Sequence, residues 1–192
     1  MHVLALPNVV TLLRIACVPI VVVLMMYPTG WPRRVAALIF LAASISDYVD
    51  GWLARRRGAM TPLGQFLDPL ADKLLIAGVL IMLVAGPREL GVPGWVAVVI
   101  VLRELAVTGL RGIASQNGLA LPADELGKYK MLTQIFALQG LLVAERLPIP
   151  FTALEVDFRA AGLCFLWFAV VLSVWSGVDY HLKVFRRLAA IA

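Results

Sequence analysis

The stretch SDYVDGWLARRRGAMTPLGQFLDPLADK, residues 46–73, places four aspartates between long apolar runs. They are Asp47, Asp50, Asp68 and Asp72. An acidic side chain at the centre of a membrane helix costs roughly 2.5–3.5 kcal/mol on insertion scales, so several in one place normally mark an ion or substrate site. The fold and function of the chain therefore depend on what these carboxylates bind.

The composition of the chain is that of an integral membrane protein. Of the 192 residues, 61% are hydrophobic and only 15% are charged, which is unlike a soluble protein. Six apolar stretches are separated by proline and glycine, and each approaches the roughly 20 residues that cross a bilayer, the fifth if it begins near residue 126. They are residues 9–27, 35–53, 66–85, 92–110, 130–144 and 160–180. We therefore predict an all-α integral membrane protein, with six transmembrane helices in one domain, residues 1–192.

The distribution of lysine and arginine predicts the orientation of these helices. Twelve of the 17 fall on the side that holds both termini: Arg14, Arg55, Arg56, Arg57, Lys73, Arg103, Arg111, Lys128, Lys130, Lys183, Arg186 and Arg187. The other five lie opposite: Arg33, Arg34, Arg88, Arg146 and Arg159. We expect both termini and the four aspartates to face the cytoplasm, in a bacterial-type cytoplasmic membrane, and we expect no nucleic-acid partner.

The spacing of the aspartates predicts a site for divalent cations. Asp47 and Asp50 are three residues apart near the end of the second helix, and Asp68 and Asp72 are four apart on the third, so each pair shares a helix face. Four converging carboxylates repel one another unless cations hold them. Mg²⁺ is typically shared between carboxylates and a substrate's phosphates, and two such ions form a clamp for displacement at phosphorus.

Small residues and a helix start are interleaved with these acids. Gly51, Ala54 and Gly64 remove side-chain bulk, which permits either close helix packing or the approach of a phosphate ligand to the backbone. Thr61 is a predicted N-cap, and Pro62 suits the first position of the third helix. The stretch thus predicts two helices that present a phosphate and metal site.

These residues resemble the signature of the CDP-alcohol phosphotransferases, D-x2-D-G-x2-A-R-x8-G-x3-D-x3-D. All eight fixed positions are present: Asp47, Asp50, Gly51, Ala54, Arg55, Gly64, Asp68 and Asp72. The resemblance implies a six-helix membrane transferase, usually a homodimer, in which an alcohol attacks the β-phosphorus of a CDP-linked lipid and CMP is released. It also implies two Mg²⁺ or Mn²⁺ ions held by the four aspartates, with Asp72 as the base that takes the acceptor's proton.

Further motifs are similar to the branch of phosphatidylglycerophosphate synthases. Their P-N-x-x-T-x-x-R, R-E-x6-L-R and G-K-x-K patterns match residues 7–14, 103–111 and 127–130, whereas Met131 stands where the branch usually has threonine. The resemblance implies CDP-diacylglycerol as donor, bound by Asn8, Thr11, Gly51, Ala54, Arg55, Thr61 and Gly64. It implies glycerol 3-phosphate as acceptor, its phosphate bound by Arg14, Arg103, Arg111 and Lys128. We also expect the chain to be surrounded by membrane lipid.

Alternative functions remain open at this point. Inositol phosphate, or phosphatidylglycerol in the formation of cardiolipin, would serve the same chemistry as acceptor, while a phosphate pocket argues against serine. The cations near helix ends also fit side chains that reach the membrane interface. A cation-coupled transporter would carry intramembrane carboxylates too, but the acids lie at the membrane edge and the chain shows no evident inverted repeat.

Overall fold

The computed structural model describes residues 6–27, 29–57, 62–116, 125–148 and 155–189, and for 6–9, 47–57, 62–66, 68, 125, 147 and 188 it describes the backbone alone. These ranges contain six α-helices: α1 Leu6–Met25, α2 Trp31–Arg57, α3 Pro62–Ala85, α4 Gly94–Gln116, α5 Glu125–Val143 and α6 Phe158–Ala189. A 3₁₀ turn, Arg88–Leu90, precedes α4, and two short strands, β1 Arg146–Pro148 and β2 Glu155–Asp157, precede α6. The prediction of an all-α protein with six helices is therefore confirmed for the described residues.

Several helix ends differ from the apolar stretches that predicted them. The start of α3 at Pro62 is as predicted. By contrast, α2 begins at Trp31, before its apolar stretch, and includes Arg33 and Arg34. Pro32 is tolerated in the first turn, because the N–H that proline lacks would have no partner within the helix at that position. The last helix continues to Ala189, nine residues beyond the apolar stretch. Hydrophobicity thus located the helices, while polar residues extend several of them, including α2, α4, α5 and α6.

The helices pack around one apolar core. The largest fully buried side chains come from five helices, α2 to α6, and are Phe40, Leu75, Leu80, Leu83, Ile100, Leu138, Leu141, Leu142 and Leu166. The first helix packs on α2 and α3 and adds Val21. The most extensive helix contact is between α5 and α6. A second, smaller apolar cluster joins α4 to α6 through Val107, Ala114, Tyr180 and Val184.

The close contact between α5 and α6 depends on two glycines. A Cβ at Gly140 would lie 2.8 Å from the carbonyl oxygen of Phe158 and 2.9 Å from the Cα of Gly162. A Cβ at Gly162 would lie 2.8 Å from the backbone nitrogen of Leu141. Real Cβ atoms almost never approach backbone so closely, so the crossing requires glycine at both positions.

Two arginines at the start of α2 hold the C-terminal end of α5. Arg33 donates from Nε to the carbonyl of Leu142 (2.9 Å) and from Nη2 to that of Leu141 (2.7 Å). Arg34 forms two hydrogen bonds to the carboxylate of Glu145, of 3.0 and 3.2 Å. The last carbonyls of a helix have no hydrogen-bond partner within the helix. The bonds from Arg33 provide partners for two of them, and together with the Arg34 pair they fix α5 to α2.

A hairpin of β1 and β2 sets the start of α6. Arg146 pairs with Asp157 across the antiparallel strands, and its Nε donates to Oδ2 at 3.2 Å. The N–H of Ala160 donates to Oδ1 of Asp157 at 2.9 Å, so Asp157 caps the helix. This backbone bond and the nearby Arg146 hold the pKa of the Asp157 carboxyl below its usual value. The sequence predicted only a break at Pro148, because three-residue strands carry too short a pattern to recognise.

By length and composition, one helix among the described residues qualifies to cross a membrane, Phe158–Arg187, with a mean hydropathy of 2.0 over its most apolar part. A shorter apolar helix covers Val10–Met25. The other four helices carry charged residues along part of their length, many of them around the cavity described next.

Candidate active site

Four helices, α3 to α6, enclose a cavity of about 260 Å³. Its wall is unusually polar for the interior of so apolar a chain. The polar and charged residues that line it are Asp72, Lys73, Arg103, Glu104, Thr108, Arg111, Lys128, Lys130, Gln134, Ser176 and Tyr180. Four residues to which the sequence assigned roles, Asp72, Arg103, Arg111 and Lys128, are therefore brought together in one place.

The third helix contributes Asp72 and Lys73 to the wall. Both side chains are partly buried, and Lys73 Nζ donates to the hydroxyl of Thr108 on α4. That hydroxyl in turn donates to the carbonyl of Glu104 at 2.6 Å. Asp72 is close enough to Lys73 and Lys130 to interact with both electrostatically. The predicted base thus lies beside a lysine that the sequence analysis did not assign to the site.

A largely buried ionic network forms the deeper part of the wall. Glu104 Oε1 accepts a hydrogen bond of 2.9 Å from Arg103 Nη1 and a second from Lys130 Nζ. One carboxylate therefore faces two cations from α4 and α5, and the network carries a net positive charge. A buried carboxylate is tolerated when it is paired and hydrogen-bonded in this way.

Arg103 also connects α4 to α6. Its Nε donates to the carbonyl of Ser173 at 3.1 Å and its Nη2 to the hydroxyl of Ser176 at 2.8 Å. Gly177 makes room for this side chain, because a Cβ there would lie 3.1 Å from the Cγ of Arg103. All three guanidinium nitrogens thus have protein partners, including Nη1 on Glu104. Binding of the acceptor's phosphate by Arg103 stays a prediction, and its observed contacts are those of a structural link.

Arg111 and Lys128 differ from Arg103 because they are exposed at the wall of the cavity. The guanidinium carbon of Arg111 lies 5.8 Å from the centroid of the Tyr180 ring, a cation–π contact. Neither Arg111 nor Lys128 forms an ion pair with any carboxylate whose side chain the structure describes. Their charges are consequently available to an anion that enters the cavity.

Two further predicted residues lie on α1, away from this wall. Thr11 and Arg14 are buried, with exposed fractions of 2% and 4%, and neither is among the residues that line the cavity. Helix α1 packs on α2 and α3, the two helices that carry the four aspartates. Their predicted roles, donor binding for Thr11 and phosphate binding for Arg14, stay predictions.

Most of the predicted metal and donor ligands fall outside the described side chains. The helical backbone is described at Asn8, Asp47, Asp50, Gly51, Ala54, Arg55, Gly64 and Asp68, and Thr61 lies outside the described residues altogether. Within the part of the chain that is described, no three His, Cys, Asp or Glu side chains are grouped as metal ligands would be. The side chains of Asp47, Asp50 and Asp68, three of the four predicted metal ligands, are not among those described, so the metal site stays a prediction.

Sequence reasoning missed several residues of the wall. Lys73 directly follows Asp72 in the sequence, and this adjacency was the signal that could have assigned Lys73 to the site. Glu104 belongs to the R-E-x6-L-R motif and Lys130 to the G-K-x-K motif, but no role was predicted for either residue. Ser176 and Tyr180 belong to α6, where no motif was found after Pro148, and only the packing of α6 against α4 brings them to the cavity.

Sequence comparisons relate most of the chain to known proteins. A family model described as CDP-alcohol phosphatidyltransferase matches residues 4–175. The chain is 40% identical to a CDP-diacylglycerol–glycerol-3-phosphate 3-phosphatidyltransferase of Bacillus subtilis (strain 168), covering 95% of this chain and 96% of the relative. It is 33% identical to a protein of the same name from Rickettsia typhi, covering 91% and 94%. It is 36% identical to a cardiolipin synthase (CMP-forming) of Oryza sativa subsp. japonica, covering 96% of this chain and 59% of that protein.

Proposed function

The chain belongs to the CDP-alcohol phosphatidyltransferase family, and we propose that it transfers the phosphatidyl group of CDP-diacylglycerol to glycerol 3-phosphate. The products are phosphatidylglycerophosphate and CMP, and the reaction is a step of phospholipid biosynthesis. The observation that carries the proposal is the cavity whose wall holds Asp72 together with Arg111 and Lys128, two cations that pair with no described carboxylate, in a chain whose bacterial relatives have this activity as their name.

The acceptor's phosphate binds at the exposed cations of the cavity. Arg111 and Lys128 have no carboxylate partner among the described side chains, and Lys73 donates its described hydrogen bond to a neutral hydroxyl, that of Thr108. A phosphate dianion between them would neutralise these charges, and a guanidinium can bind it with two hydrogen bonds. The cavity, of about 260 Å³, is large enough for a molecule as small as glycerol 3-phosphate.

Arg103, Glu104 and Lys130 form the frame behind this phosphate. Their hydrogen bonds to one another and to Ser173 and Ser176 fix the relative positions of α4, α5 and α6. Their net charge is positive, so the frame also attracts an anion without direct contact. We therefore assign Arg103 mainly to positioning, with Arg111 and Lys128 as the direct phosphate ligands.

The aspartates would hold two divalent cations, which would bind the donor's diphosphate. The described backbone is helical at Asp47, Asp50, Asp68 and Asp72, so each pair keeps the spacing that puts both residues on one helix face. Carboxylate oxygens suit Mg²⁺ or Mn²⁺, so the donor set fits the ions that the family resemblance implies. When bound, such ions would neutralise the diphosphate and polarise the phosphorus that is attacked.

Asp72 accepts the proton of the acceptor's hydroxyl. Its carboxylate lines the same cavity as the phosphate-binding cations, so a bound acceptor can present its hydroxyl to the base and its phosphate to Arg111. The acceptor oxygen then bonds to the β-phosphorus of CDP-diacylglycerol, the bond from that phosphorus to the CMP oxygen breaks, and CMP leaves. Catalysis by this arrangement consists mainly of positioning and of charge neutralisation.

The six helices cross the membrane, with the cavity and both termini toward the cytoplasm. The excess of lysine and arginine on that side supports this orientation. Helix α6, with 32 residues, is about 48 Å long at 1.5 Å per residue, so it extends beyond a hydrocarbon core of roughly 30 Å. Its last turns, with Lys183, Arg186 and Arg187, would lie at the cytoplasmic surface. The family resemblance supports a homodimer.

One assay tests the proposal. Purified protein in mixed micelles receives CDP-diacylglycerol and, in separate reactions, glycerol 3-phosphate, inositol phosphate, phosphatidylglycerol, serine or no acceptor, and both CMP and the lipid product are measured. We expect glycerol 3-phosphate to give the highest kcat/KM. Phosphatidylglycerol as the best acceptor would instead favour the activity named for the rice relative. Failure of every acceptor to release CMP would refute the transferase activity.

A further inference from the structure

Tyr180 is held rigidly at the wall of the cavity. It lies on α6, is only 6% exposed, and packs with Val107 and Ala114 of α4 and with Val184 one turn further along its own helix. Arg111 lies over one face of its ring. The ring therefore supports the arginine that we assign to the acceptor's phosphate.

The hydroxyl of Tyr180 is buried and has no hydrogen-bond partner among the described residues. Other hydroxyls in the wall do have partners: Ser176 donates to the carbonyl of Leu172 at 2.6 Å, and Thr108 donates to that of Glu104. Burial of an unpaired hydroxyl is unfavourable, and phenylalanine would fill the same space without this cost. A tyrosine at this position is explained if a ligand in the cavity accepts the hydrogen bond.

We propose that Tyr180 is a specificity-determining residue whose hydroxyl donates a hydrogen bond to the phosphate of the acceptor. A phenol at neutral pH is a donor, and a phosphate monoester dianion offers only acceptors. The cations Arg111, Lys128 and Lys73 line the same cavity, so its phosphate-binding part includes the tyrosine. Tyr180 lies beyond residue 175, where the match to the family model ends. The proposal rests on the proposed function, because it assumes a phosphorylated acceptor.

The substitution Tyr180→Phe tests the proposal, since it keeps the ring and its contact with Arg111 and removes only the hydroxyl. The KM for glycerol 3-phosphate should rise roughly 10–150-fold, the loss expected of a hydrogen bond to a charged group. The KM for CDP-diacylglycerol should stay within twofold of the parent value, and the melting temperature should not fall. The matched control is Tyr129→Phe on α5, which removes the hydroxyl of an exposed tyrosine outside the cavity wall.

Ethyl phosphate, which has the phosphate but no glycerol hydroxyl, identifies the group that Tyr180 contacts. Its inhibition constant against glycerol 3-phosphate should rise in Tyr180→Phe by the same factor as the KM. An unchanged inhibition constant with a raised KM would move the contact to the glycerol and overturn the phosphate assignment. An unchanged KM would overturn the proposal entirely. Activity of the parent with glycerol 3-phosphate is measured first, so failure of the proposed function is seen separately.

Discussion

The crossing of α5 and α6 gives a quantitative prediction for Gly162→Ala. The new methyl group would lie 2.8 Å from the backbone nitrogen of Leu141, 3.0 Å from the carbonyl oxygen of Ala137 and 3.0 Å from the carbonyl carbon of Gly140. All three obstacles are backbone atoms of α5, so no side-chain rotation relieves the contact. The two helices must instead move apart by several tenths of an ångström to reach the ordinary contact range, which begins at 3.4 Å.

The cost of this movement is that of overpacking, about 1–3 kcal/mol. An opposing gain exists, because alanine favours a helix over glycine by about 0.8–1 kcal/mol in an exposed helix interior. Gly109→Ala on α4 measures that gain alone, since a Cβ there meets nothing within 4 Å. We therefore expect Gly162→Ala to be less stable than Gly109→Ala by about 1–3 kcal/mol, the full overpacking cost.

The free energy of unfolding is measured for the parent and both variants in mixed micelles titrated with a denaturing detergent. The KM for glycerol 3-phosphate of Gly162→Ala should also rise, because the movement displaces the wall residues of α6 from Lys128 and Lys130 on α5. If Gly162→Ala is as stable as Gly109→Ala, the close backbone contact does not exist in the membrane-embedded protein, and the reasoning is refuted.

Three further predictions concern the chemistry of the cavity. Asp72→Asn should lower turnover by at least about 10²-fold, the low end for a lost general base, and leave the KM for CDP-diacylglycerol within a few-fold; near-normal turnover would assign the proton to another group. Excess chelator should abolish CMP release, and Mg²⁺ or Mn²⁺ should restore it, whereas full activity in chelator would contradict the metal site. Arg111→Ala should raise the KM for glycerol 3-phosphate roughly 10–150-fold, while the control Arg88→Ala, in the 3₁₀ turn before α4, should not change it.

The sequence predicted the helices and one side of the cavity because both depend on local patterns. Apolar runs located all six helices, and Pro62 marked the start of α3. Motif spacing identified Asp72 and the exposed cations Arg111 and Lys128, which share the cavity wall in the structure. Asp72 lies one turn from Asp68 on α3, whereas Arg111 on α4 and Lys128 on α5 were identified through motifs that resemble the family.

The remaining features depend on contacts between residues far apart in the chain. The bonds from Arg103 to Ser173 and Ser176 join residues 70 and 73 positions apart, and no spacing rule predicts them. The same applies to Tyr180, which reaches the cavity only because α6 packs against α4. For Arg103, predicted as a phosphate ligand, the structure adds contacts of all three guanidinium nitrogens with protein groups, which the sequence did not predict.

The order of synthesis matters for the wall of the cavity, because α6 follows α3, α4 and α5 in the chain. Ribosomes synthesise α3, α4 and α5 before α6, so Arg103 is made before Ser173 and Ser176. Until the last helix arrives and packs, this arginine lacks two of its partners. Docking of α6 therefore completes both the pairing of Arg103 and the wall of the cavity, so a chain that ends before α6 would lack both.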